Sequence, residues 1–352
     1  MLNIIRVLLI FLMSSFLVPA FALEGESIVL NPATGNYLIT YLSSRDDKLH
    51  QVTFIPATKI NPVFKSELKL EEDGLVHYGY TLVSGRDSQQ DIVLFILDPV
   101  SNVTSSLPDI PLSAPPGKIM GDMMNVANYF DTPAPWHASM GYSDDQMSFR
   151  IGWSTKVANG FHPGSRAVFG FRSRDLPGII KAEVHGYAPG SQKIAGEEIN
   201  DEDSGFGQQY MELVFRKNFV PRNVAVPAIA IAIATPFDPA VTLEHIQTQM
   251  HTWIGMQLLD ATFSSQLDRY FQSAISAYHL NQLKVGKKQI QAMRELINKE
   301  HTDLGRDEEH ESDKNHEKND DKKSAMIDRL AARILDFDLK YVTKRMGGDK
   351  DD

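Results

Sequence analysis

An α+β multidomain protein, with an N-terminal antiparallel β-sandwich followed by a C-terminal α-helical hairpin or bundle, is the fold class this 352-residue chain predicts. Three observations predict it. Residues 23–194 read as short strands punctuated by turns, and residues 236–346 carry apolar side chains at helical spacing. An acidic and then extended stretch, 195–235, separates the two textures and reads as a linker.

Residues 1–22 come first in the order of the chain. Arg6 is their single charge, Val7 to Leu17 is apolar except for Ser14 and Ser15, and Pro19-Ala20-Phe21-Ala22 closes the run. Small residues at Ala20 and Ala22 fit the pattern of a cleavage site, so a signal peptide cut before Leu23 is expected. The run is shorter than the roughly 20 residues that span a bilayer. The chain holds no cysteine, which removes both a lipobox anchor and disulfide staples. A bacterial protein exported to the periplasm or the extracellular space is the expectation.

Composition bounds the rest. At 42% hydrophobic and 23% charged residues, a core of ordinary size needs no covalent help. A mature length of about 330 residues predicts about two domains. The net charge of −10 argues against nucleic acid, whose binding requires a basic surface to displace counterions. It also disfavours anionic membranes. Val224 to Ala234 is the longest remaining apolar run, and at about 11 residues with Pro227 inside it is too short to cross a bilayer. No membrane insertion after signal cleavage is expected.

The strands follow from alternation. Asn31 to Asn36 is a turn cluster leading into Tyr37–Tyr41. Val76, Tyr78, Tyr80 and Leu82 alternate with His77, Gly79 and Thr81, the period of a half-buried strand. Ser84 to Ser88 turns the chain into Ile92–Leu97, apolar on both faces, and Asp98-Pro99 is expected to stop it. Met147, Phe149, Ile151 and Trp153 alternate again, and Pro163-Gly164-Ser165 turns into Ala167–Phe171. Between these strands, 101–145 reads as one long irregular stretch with a proline-rich first half and Trp136-His137 in its second. Long loops often carry function, so a binding surface is expected there.

Helices take over after the acidic segment Glu197 to Gly205. Asp238 and Pro239 pair as N-cap and first helical residue. Leu243, Ile246, Met250, Trp253 and Ile254 follow on one face. A second helix from about Ser264 lines up Leu267, Phe271, Ala274 and Tyr278, with Gly286 as its expected C-cap. A third carries Ile290, Met293, Leu296 and Ile297, and a fourth Ile327, Leu330, Ala331, Ile334, Phe337 and Tyr341. Residues 303–323, dense in mixed charge and without aromatics, predict a disordered insertion at a hairpin tip. Residues 347–352 are a polar tail. The apolar stripes are expected to close on one another in a self-contained bundle.

The last three helices resemble the α-helical hairpin module of the FIMAH type, found near the C termini of many exported and membrane-anchored bacterial proteins. The likeness runs over Leu267-Asp268-Arg269-Tyr270-Phe271, Ala274, Gly286-Lys287, Ile290 and Leu296-Ile297-Asn298. It resumes at Ile327-Asp328-Arg329-Leu330-Ala331 and Phe337-Asp338-Leu339-Lys340-Tyr341. Pro236 to Pro239 and the helix after it look like the segment that leads into such a module. The charged insertion is longer than these hairpins need. The resemblance implies an extracytoplasmic accessory or spacer role and no catalysis. The strands from Tyr78 to Asp98 and the turn Gly160 to Ser165 look like those of secreted Ig-like or adhesin-type sandwiches.

Chemistry is sparse. Ser165 stands in a turn without the strand–elbow–helix context of a nucleophile. Asp201, Asp203 and Glu212 fall at places one, three and twelve of an EF-hand-like loop. Gly205 and Phe206 stand where an oxygen ligand and a glycine belong, so an acidic linker is preferred. His301, His310 and His316 are scattered along a charged tract, and His245 and His251 lie six apart on different helix faces. Trp136 is read as a plug for the sandwich ahead of a ligand platform. The carboxylate clusters Glu71-Glu72-Asp73 and Asp144-Asp145 sit in turns. No residue is assigned to catalysis, to a cofactor or to a metal. The expected function is an exported, non-enzymatic binding or structural accessory protein, monomeric, taking an unknown protein or polymer ligand. The rival is an extracytoplasmic hydrolase acting on a polymer, with its site in 101–145.

Overall fold

The computed structural model describes residues 24–43, 45–100, 130–142, 149–156, 159–187, 205–218, 220–300 and 326–347. The expected signal peptide, the acidic stretch to Ser204, the charged insertion 303–323 and the tail beyond Gly347 lie outside them. Among the described residues no helix is long and apolar enough to cross a membrane.

Three antiparallel sheets are formed. The first joins β1 (Ser27–Asn31), β2 (Asn36–Leu42) and β3 (Leu49–Phe54) as a meander. Its β1–β2 hairpin turns through Gly35 in the left-handed region at φ 64°, with Asn31 Oδ1 accepting from the Ala33 amide at 3.0 Å. The second sheet takes β4 (Pro62–Leu70), β5 (Val76–Ser84), β10 (Arg166–Ser173) and β7 (Phe130–Asp131), in the order β4-β5-β10-β7. The third takes β6 (Ile92–Val100), β8 (His137–Tyr142), β9 (Phe149–Ser154), β11 (Leu176–Gly186) and β12 (Arg222–Ile231), in the order β12-β11-β6-β9-β8.

The second and third sheets make the sandwich, as the alternation predicts. Tyr78, Tyr80 and Leu82 point inward from β5 while His77 and Thr81 stay half-exposed on its other face. The core is aromatic. Phe95 stacks on Trp153 at 5.1 Å, Tyr78 on Phe171 at 4.6 Å, and Tyr80 meets Phe95 edge-on at 5.5 Å. The two buried phenols find acceptors in backbone carbonyls, Tyr78 on Asp175 at 2.8 Å and Tyr80 on Pro227 at 2.6 Å.

Several expectations are corrected. Pro99 does not end the sixth strand; the β6–β9 register shifts between Leu97 and Val100, and this irregularity accommodates a residue without an N–H. The stretch 101–145 is not one loop, because β7 and β8 lie in it and form an edge of each sandwich sheet. The interval 195–235 is not a linker over its described part. Gly205–Gln209 opens a helical segment, α1, that continues through a π-helical Tyr210–Phe215 to Arg216–Asn218. Phe206, Tyr210 and Val214 of α1 pack on Ile39, Tyr41 and Phe54 of the first sheet, a small core of its own. β12 is the edge strand of the third sheet, where Pro227 costs little.

The helices are α2 (Pro239–Gly255), α3 (Ala261–His279), α4 (Leu283–Glu300) and α5 (Arg329–Arg345). Asp238 caps α2 as expected, accepting from the amides of Ala240 and Val241 at 2.9 and 3.1 Å. Asp260 and Asp328 do the same for α3 and α5. Gly286 is not a C-cap. Asn281, at φ 57°, supplies the left-handed stop after α3, and Gly286 lies inside α4 against the Tyr278 ring, where an added Cβ would come within 2.6 Å.

The bundle is not self-contained. Trp253, Phe271, Tyr278 and Tyr341 are all buried, but α2 and α5 pack on β11 and β12, and one continuous apolar cluster runs from sandwich to helices. Arg333 of α5 donates to the Ser66 carbonyl on the edge strand β4 at 2.7 Å. Phe237, just before α2, meets Tyr341 edge-on at 6.1 Å with Arg345 over its other side at 5.4 Å. The helical layer therefore covers the side of the sandwich where β4 and β12 are the edges, which protects open strands.

Candidate functional site

The chain between β3 and β4 crosses the end of the sandwich under tight constraint. Gly186, at the end of β11, lies directly against the Ala57 carbonyl and the Ile60 side chain, so the crossing sits where only a hydrogen fits. That crossing, the turn after β5 and the first residues of β12 border an open cleft of about 580 Å³. Its lining is Lys59, Ile60, Asn61, Pro62, Asp87, Gln89, Arg222, Asn223 and Val224.

Some of its polar groups are held by neighbouring structure and others are left open. The Lys59 ammonium donates to the Thr34 carbonyl and to Asn36 Oδ1, which ties the cleft to the β1–β2 turn. Partial burial holds that ammonium below the usual lysine range. Arg222 Nε donates to the Thr58 carbonyl at 2.9 Å. Asn61 donates to both oxygens of Asp87 at 3.0 and 3.2 Å, and its backbone amide donates to Ser88 Oγ at 2.9 Å. Among the described residues, no hydrogen bond engages the terminal nitrogens of Arg222 or the carboxamides of Gln89 and Asn223. Ile60, Pro62 and Val224 supply an apolar side. The arrangement offers open donors and amides beside a small apolar side on a concave surface.

A second polar cluster is sealed inside. Asp338 of α5 is 1% exposed, and its Oδ1 has no hydrogen-bond partner among the described residues. Burial pushes its carboxyl well above the usual carboxylate range. Tyr78, Asp175 and Tyr341 share this region, and burial raises the Tyr78 phenol first, with Tyr80, Asp338, Asp175 and Tyr341 adding to it. Asp175 holds the chain after β12 by accepting from the Ile233 amide at 2.9 Å. The three side chains Asp175, Asp338 and Tyr341 are each buried, at 2%, 1% and 3% exposure.

The residues weighed from sequence are dispersed. Trp136 is a plug, 6% exposed and edge-on to Phe169 at 5.1 Å. Ser165 closes the turn from His162, its amide donating to the His162 carbonyl at 3.0 Å, with Gly164 at φ 83°. Phe206 is buried in the small core and Glu212 lies in the helical segment, so residues 205–212 do not form a calcium loop; Asp201 and Asp203 lie outside the described residues. His251 pairs with Asp268 at 2.8 Å across α2 and α3, away from His245. Glu71 contacts Arg172 at 3.3 Å in the β4–β5 turn region. His301, His310, His316, Asp144 and Asp145 lie outside the described residues. Among the described residues no three histidine or carboxylate side chains converge to hold a metal. Sequence reasoning missed the cleft because its lining comes from three distant segments, and only the fold brings Lys59 beside Arg222.

Comparison with known proteins adds little. No family model matches the chain, and no curated protein matches it. Among solved structures it is similar to an uncharacterized protein from Nocardia farcinica with an immunoglobulin-like fold. The identity is 12%, the match covers 36% of this chain and 80% of that one, and the TM-score is 0.24.

Proposed function

We propose that this is an exported, non-enzymatic binding protein of the bacterial cell envelope or extracellular space, and that the cleft beside Arg222 receives its ligand. One observation carries the reading: the terminal nitrogens of Arg222 and the carboxamides of Gln89 and Asn223 line one cleft and have no hydrogen-bond partner among the described residues, while Arg222 Nε is held by the Thr58 carbonyl. Preorganised polar groups lower the ordering cost of binding, which is how a small polar site gains affinity. The signal-like residues 1–22 supply the exported part of the reading. The helical layer serves as a structural buttress to the sandwich, consistent with an accessory role.

The test is a thermal-shift and calorimetry screen of the mature chain against envelope and matrix polymers and their fragments. Saturable binding that weakens on Asn223→Ala or Arg222→Gln supports the reading. Turnover of any polymer in the same samples, or binding indifferent to both substitutions, overturns it.

A further inference from the structure

The charge of the cleft stands against the charge of the molecule. The whole chain carries −10, yet the lining holds two cations, Lys59 and Arg222, against one carboxylate, Asp87. The cleft is therefore a locally positive spot on an acidic protein, with a surplus of one charge. Such a spot attracts an anionic group by Coulomb's law.

Arg222 is the anchor this charge needs. Its Nε is committed to the Thr58 carbonyl, which leaves the planar fork of its two terminal nitrogens as the remaining donors. That geometry matches a carboxylate through two parallel hydrogen bonds. The neighbouring carboxamides of Gln89 and Asn223 each offer a donor and an acceptor, the complement of a hydroxyl group, which also does both. Ile60 and Val224 add a small apolar side for C–H groups.

We infer that the cleft binds a hydroxylated monocarboxylate of the sugar-acid class, as found in the uronate units of acidic polysaccharides, with the carboxylate on Arg222 and the hydroxyls on Gln89 and Asn223. The inference rests on the cleft being the binding site and specifies what enters it. Lys59 contributes long-range attraction and keeps the β1–β2 turn against the cleft wall.

Calorimetry on the mature chain at low ionic strength tests it. The probes are tri-galacturonic acid, its fully methyl-esterified form, a neutral galactose trisaccharide and a tri-glutamate peptide. Tri-galacturonic acid binds, and esterification weakens it about tenfold or more, because the charge-assisted pair is lost. Arg222→Gln and Arg222→Lys both weaken binding, the second because it keeps the charge but not the fork. Asp87→Asn tightens it, and added salt weakens it. Thermal melts identify any variant that fails to fold, and Asn223→Ala, an exposed change, keeps the test open in that case. Equal binding of acid and ester overturns the carboxylate assignment while leaving the cleft as a sugar site. Binding of the peptide in place of the sugar acid, or of no probe, overturns the ligand class. Binding of the sugar acid unaffected by Arg222, Asp87 and Asn223 variants overturns both the ligand class and the site.

Discussion

Asp338 shows what a single residue can do inside this fold. It sits in the middle of α5, enclosed between helices and sandwich; Tyr78, Asp175 and Tyr341 share its region, and the Arg345 cation acts on Tyr341. Burial favours the neutral acid, so the folded value lies well above the ordinary 3.8. The sign follows from linkage: its contribution to stability is fully present below 3.8 and is lost as pH climbs through the raised folded value. Asp338→Asn keeps the shape and cannot ionise. Melts of the variant should match wild type at pH 4 and exceed it at pH 8 by about 2–4 °C. Equal differences at both pH values would mean that the carboxyl is not held as a buried acid. Gly186 tests the other end of the molecule. Gly186→Ala would drive a methyl into the Ala57 carbonyl. The expected cost is about 1–3 kcal/mol in denaturant unfolding, together with loss of affinity in the cleft, whose wall that crossing forms.

At the scale of elements, spacing and caps were legible and partners were not. Asp238-Pro239 announced α2, and the Val76–Leu82 alternation announced β5, because capping and pleating are local and leave their period in the sequence. The end of α3 was misread for an equally local reason. Glycine is the commonest left-handed stop, yet Asn281 fills that role here, and Gly286 is kept small by the Tyr278 ring. β12 was read as extended but unplaced, since an edge strand with a proline carries no mark of its neighbour. The α3 stripe can be tested directly. Phe271 is fully buried, so Phe271→Ala should cost roughly 3–5 kcal/mol in chemical denaturation of the whole chain. A loss below about 1 kcal/mol would mean that α3 does not carry the core contacts described.

Across the whole molecule, sandwich and helical layer unfold as one body if they share one core. The apolar cluster spans both, and Arg333, Asp338 and Tyr341 face the sandwich from α5. Calorimetry of the chain should therefore show a single transition for these parts. An isolated 235–350 fragment should aggregate or self-associate in size exclusion, because the sandwich-facing sides of α2 and α5 would be left open. A monomeric fragment with its own sharp melt would restore the self-contained bundle expected from the sequence.

The sequence by itself determined the two textures, the strand and helix faces, the caps, the absence of disulfides and the acidic charge, all properties that local geometry or composition imposes. Only the tertiary structure decided that 205–231 builds α1 and β12 and is no linker, that the helices lean on the sandwich, and that Lys59, Asp87 and Arg222 share a cleft. The physical reason is range. A hydrogen-bonded period writes itself into neighbouring residues, whereas a contact between positions 58 and 222 depends on the path of the chain between them and leaves no trace in either neighbourhood.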